Sequence, residues 1–131
     1  MDETVKVNEG TSLAIERTQL AADRTLMAWI RTAFSMISFG FTIFKFFQYL
    51  GKEGVAGAPH GHGPRNLGIA LVTMGTLSLA IGLWEHRTSS VKLARVKGEP
   101  FNMSWVQLVG LFVVVLGLLT LLGIALSIGP F

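Results

Sequence analysis

Three Arg–Thr pairs, Arg17-Thr18, Arg24-Thr25 and Arg31-Thr32, recur at seven-residue spacing. The same register continues through Ser38 to Lys45, and Ser35 and Thr42 fall between them at helical spacing. A straight helix drifts only about 20° per heptad, so these residues form one polar face, cationic at both ends and hydroxyl-lined in the middle. Arginine offers paired, directional donors that match phosphate oxygens, and rings of Arg or Lys around an axis favour anions. The chemistry in view is anion binding or conduction. Its candidate residues are Arg17, Arg24, Arg31, Ser35, Ser38, Thr42 and Lys45.

Each of these residues also has a simpler explanation. Arg31 and Lys45 can snorkel to phosphates at the two membrane surfaces, and the hydroxyls can bond back to helix carbonyls. Those explanations treat the residues singly and leave their shared face unaccounted for. A charge at the bilayer centre costs roughly 2.5–3.5 kcal/mol on insertion scales, so such residues usually face a bundle interior or a wet cavity. Three helices from one chain cannot enclose a water-filled pore, whereas a ring of identical chains can.

The elements that must carry this face are membrane spans. Of the 131 residues 50% are hydrophobic and only 15% charged, against roughly 25% charged in soluble domains. Residues 67–83 and 101–131 contain no Asp, Glu, Lys or Arg, and about 20 apolar residues suffice to cross a bilayer. The expected class is all-α and integral to the membrane, with spans near 26–47, 66–84 and 103–128 inside one domain over 12–128. A polar tail is expected over 1–11, since Thr11 or Ser12 after Gly10 would make a good N-cap. The first helix would then hold about 38 residues, roughly 57 Å at 1.5 Å each, and its amphipathic start would project beyond the hydrocarbon. The opening "MDETVKVNEG" is acidic and polar, unlike a cleavable signal peptide. "GKEGVAGAPHGHGPR" reads as a Gly- and Pro-rich loop.

Basic residues set the expected orientation. Lys6, Arg17, Arg24, Arg31, Arg87, Lys92, Arg95 and Lys97 make eight on one side, against Lys45, Lys52 and Arg65, three, on the other. The N-terminus and the connection after the second span should be cytoplasmic, with the C-terminus external. Trp29, Trp84 and Trp105 fall near span ends on the cytoplasmic side, where interfacial aromatics belong. The net charge of +3 then reflects topology, and no nucleic-acid partner is expected. Asp23 and Glu16 could neutralise Arg24 or cations of a neighbouring chain. Gly68, Gly75, Gly82, Gly110 and Gly117 repeat at seven residues and let backbones approach in lipid, either within the chain or between subunits.

Other chemistries find little support. The absence of cysteine excludes disulfides and thiol catalysis. His60 and His62 in "HGHG" offer two ligands at most, and His86 between Glu85 and Arg87 reads as interfacial. No enzyme activity, cofactor or metal site is expected.

The stretch "LAADRTLMAWIRTAFSMISFGF" resembles the signature of the YidH-like family, small three-span bacterial membrane proteins carrying a domain of unknown function. Its pattern, Ala-Asn-Glu-Arg-Thr, two apolar residues, Ala or Ser, then Trp and often Ile-Arg-Thr, is matched by Ala22, Asp23, Arg24, Thr25, Ala28, Trp29, Arg31 and Thr32. Asp23 stands where Glu is usual and Ala22 where Asn is usual. The likeness spans about residues 12–127 and implies the bacterial inner membrane. The domain is also similar to the membrane part of the vacuolar transporter chaperone complex, in which three-span subunits surround a basic pore for polyphosphate. By that resemblance the motif Arg corresponds to Arg24, and a basic residue after the second span to Arg87. It implies a homo-oligomer, with five subunits favoured and three the alternative, conducting phosphate or polyphosphate. The other reading is a non-conducting scaffold or accessory subunit that binds anionic lipid or a partner protein.

Overall fold

The structure, a computed structural model, describes residues 2–57, 62–98, 100 and 102–127. Three helices account for almost all of it: α1 over Asp2–Lys52, α2 over Gly63–Lys97 and α3 over Trp105–Ser127. Each is long and apolar enough to cross a membrane, and no strand occurs among the described residues. At 1.5 Å per residue the helices measure about 77, 52 and 35 Å, against a hydrocarbon layer of about 30 Å. Only α3 matches one crossing. The first half of α1 and the last turns of α2, which exceed the length of one crossing, lie side by side at one end of the bundle, the basic end.

Two boundaries differ from the sequence reading. Helix α1 begins at Asp2, so the segment expected as a polar tail is helical. Gly10 costs roughly 1 kcal/mol relative to Ala, and no proline reinforces it as a stop. The Thr11 hydroxyl, expected to cap a helix start, instead donates to the Val7 carbonyl at 2.9 Å. Helix α2 continues past the expected span end at Trp84 to Lys97. It stops at Gly98, whose φ of 71° is left-handed and whose N–H bonds back to Ala94 and Arg95 carbonyls, a common glycine terminus. Helix α3 lies within the expected 103–128, and Ile128 falls outside the described residues, as does His60 of the expected loop.

The core is a seam between helices rather than a globular interior. Leu26, Ala33, Ile37 and Phe44 of α1 are buried against Val72 and Leu79 of α2, with Val113 and Ile124 of α3 closing the third side. Lipid supplies no hydrophobic drive between helices, so close packing must hold them. The tightest approach is at Gly40 and Gly68. A Cβ built on either would lie 2.7 Å from the other's carbonyl oxygen, so only glycine fits both sides. Gly75 and Gly82 also face α1, the latter against the Trp29 ring, while Gly110 and Gly117 of α3 meet residues of both other helices. The heptad glycines are used within the chain.

Candidate functional site

Residues that pack α1 into the bundle lie half a helical turn from the Arg-Thr register. Leu26, Ala33, Ile37, Gly40 and Phe44 are buried, while Arg17, Arg24, Arg31, Ser35, Ser38, Thr42 and Lys45 are all exposed. The polar stripe therefore runs unbroken down the outward face of α1. Among the described residues none of its arginines has an acidic partner. Lys45 approaches the Gln48 side-chain oxygen at 3.4 Å and lies 5.8 Å from the Phe41 ring centre. Ser35 and Thr42 donate to the carbonyls of Arg31 and Ser38 at 2.9 and 2.8 Å. Thr25 and Thr32 of the motif do likewise to Ala21 and Ala28. Beside the cations runs an exposed apolar register, Leu13, Leu20, Met27, Phe34 and Phe41, again at intervals of seven.

Asp23 and His86 depart from expectation. Asp23 pairs neither with Arg24 nor with another cation of the stripe. Its Oδ1 lies 2.8 Å from His86 Nε2. His86, read as interfacial, is only 5% exposed. The reason is register: α2 stays helical beyond Trp84, so His86 extends the column Val72–Leu79 by one more heptad into the seam. Both of those residues are 0% exposed. Asp23 likewise stands one heptad before Ile30, Ile37 and Phe44 on α1.

The third member, Gln107 of α3, is 3% exposed. Its position follows from how α3 begins. The Ser104 hydroxyl accepts from the Val106 N–H, and Gln107 Oε1 accepts from the Ser104 N–H, both at 3.2 Å. This is a variant of the capping box, with the hydroxyl on the second helical N–H and the Gln107 side chain reaching back to the N-cap N–H. With its oxygen so engaged, the Gln107 amide turns its nitrogen to His86 Nδ1 at 3.0 Å. Nδ1 is then an acceptor, which leaves the ring proton on Nε2 to donate to Asp23. Gln19 Nε2 also donates to Asp23 Oδ1, at 3.3 Å, and to Ser90 Oγ, at 3.2 Å. The result is a directed chain of hydrogen bonds from α3 through α2 to α1, across the bundle at its basic end. "SWVQ" at 104–107 and the 72–79–86 register were the available sequence signals for it.

Arg87 is set apart from the stripe. It lines a cleft of about 500 Å³ between α2 and α3, with Ala80, Leu83, Trp84, Met103 and Leu111 among its walls and no α1 residue. His62 precedes α2 without making a side-chain cap bond. No cluster of three or more metal-ligating side chains occurs among the described residues.

A three-helix bundle with long apolar helices and a polar network at one end defines a multi-pass membrane protein. The chain belongs to the family described as Domain of unknown function (DUF202), whose model matches residues 17–92. That range takes in the whole register from Arg17 to Lys45 together with Asp23, His86 and Arg87, but not Gln107. No curated protein and no solved structure matches the chain.

Proposed function

We propose that this chain is a subunit of a homo-oligomeric membrane assembly in which the outward face of α1 lines a basic conduit for anions, phosphate or polyphosphate being the class favoured. The observation that carries this reading is the position of the stripe, opposite the packed face of α1 and exposed over its whole length. In a single chain it would meet lipid. The adjacent register of Leu13 and Leu20 is exposed on the part of α1 beyond the bilayer, where lipid does not cover it. A parallel α1 from another copy would cover it, since heptad apolar registers favour left-handed helix association. The likeness to the vacuolar transporter chaperone membrane domain supports the same arrangement, with five subunits favoured over three. The basic-residue bias supports a cytoplasmic basic end and an external C-terminus, and the resemblance to the YidH-like family supports placement in a bacterial inner membrane.

A second reading, a non-conducting scaffold on anionic lipid, is favoured by the hydroxyl geometry. Ser35 and Thr42 are satisfied by their own helix and require no water. Anion efflux from liposomes with matched protein incorporation separates the two readings. Under the conduit reading the chain passes anions unaided. Arg31→Gln lowers flux more than Arg17→Gln at the better-screened end, and Arg31→Lys retains part of it because charge survives without paired phosphate geometry. No flux favours the scaffold, and equal flux for all variants would refute the role of the stripe in conduction.

A further inference from the structure

The cleft between α2 and α3 lies apart from the α1 stripe and shares no residue with α1. Its walls are apolar side chains of two membrane-spanning helices, Ala80, Leu83, Leu111 and Val114, so its deep part opens onto hydrocarbon. Its mouth is different. Arg87 is exposed there, one turn beyond the charge-free run of α2, and makes no ion pair among the described residues. Trp84 and Trp105 stand by this end, both 78% exposed, as is typical of aromatics at the depth of lipid headgroups. Lys92 adds a second cation in the adjoining hollow, which Trp84 and Thr88 also line, and Glu85 is its one acid.

We infer that this cleft is a binding site for one anionic glycerophospholipid, with Arg87 on the headgroup phosphate and an acyl chain along the apolar floor. Charge selects the occupant: a guanidinium at headgroup depth pairs with a phosphate, and the apolar walls below it exclude a free hydrated anion. The site stands on α2 and α3 and holds whether or not α1 lines a conduit. The lining also includes Gln107, whose amide holds His86, so the lipid would rest against the network that ties the three helices together.

Trp84 provides the test. In a Trp29→Phe/Trp105→Phe background the remaining fluorescence comes from Trp84, which lines the cleft. The protein is reconstituted in phosphatidylcholine vesicles containing a minor fraction of bromine-labelled phosphatidylglycerol, or of bromine-labelled phosphatidylcholine as reference. The expected result is quenching that reports about fivefold local enrichment of phosphatidylglycerol, the preference that one basic residue gives. Arg87→Gln should bring it to the phosphatidylcholine level, while Lys6→Gln, with the same charge loss far along α1, should leave it. Helical content and monodispersity are checked for each variant. Three results would overturn the site: equal quenching by both lipids, enrichment that survives Arg87→Gln, and enrichment abolished by millimolar inorganic phosphate. Protection from both lipids would overturn it too, because another protein segment would then fill the cleft.

Discussion

Asp23 shows how far a residue's type can mislead about its partner. An acid in a basic motif invites pairing with arginine, yet its partner is a histidine 63 positions away. The hydrogen-bond directions around His86 make Asp23 an acceptor for two neutral donors, Gln19 and His86, so acceptor capacity matters here more than charge. Asp23→Asn keeps an oxygen with two lone pairs and should change bundle stability by under about 1 kcal/mol. Asp23→Leu strands the His86 N–H and should cost about 1–3 kcal/mol. Unfolding in mixed micelles measures both, and a loss for Asn as large as for Leu would contradict this assignment. The exposed stripe was legible in the sequence because heptad spacing alone places it. The Asp23–His86–Gln107 chain was not, since it joins three helices whose relative registers are set by packing.

Helices and their spans could be read from long apolar runs, charge-free in α2 and α3 and carrying Arg31 and Lys45 in α1, but helix ends could not. Hydropathy reports where lipid begins, whereas α1 and α2 continue as helices through the aqueous boundary, where hydropathy is silent. Glycine showed the same ambiguity: sequence gives the heptad, and only packing tells which glycines are in contact. Gly10 and Gly68 are both helical and should respond oppositely to a side chain. A Cβ on Gly10 meets nothing within 4 Å, so Gly10→Ala should stabilise α1 by about 1 kcal/mol. Gly68→Leu would force α2 off Gly40 and should destabilise by about 1–3 kcal/mol or more. Circular dichroism and thermal unfolding in detergent read both signs, and a tolerated Gly68→Leu would show that the α1–α2 seam is wrongly described.

For the whole molecule, the proposed conduit needs further copies of the chain to enclose the outward stripe and cover the apolar register beside it. Native mass spectrometry in gentle detergent should show a ring, five chains being expected and three the alternative, and only monomers would count against it. Reporter fusions should place the C-terminus outside and the region near Lys92 in the cytoplasm. The central claim, that the middle of the α1 stripe is wet, has a more direct test, because the chain contains no cysteine. Single cysteines at Ser35, Ser38 and Thr42 lie at membrane depth, unlike Arg17 or Arg24, which reach water in any arrangement. Phe112 and Leu119 of α3 are exposed away from the stripe and serve as lipid-facing controls. Modification by a charged, membrane-impermeant thiol reagent should be at least about tenfold faster at the three stripe positions than at the two controls, because thiolates form and react in water and not in hydrocarbon. Rates at Ser35, Ser38 and Thr42 as slow as those at Phe112 and Leu119 would mean that the stripe faces lipid and lines no conduit.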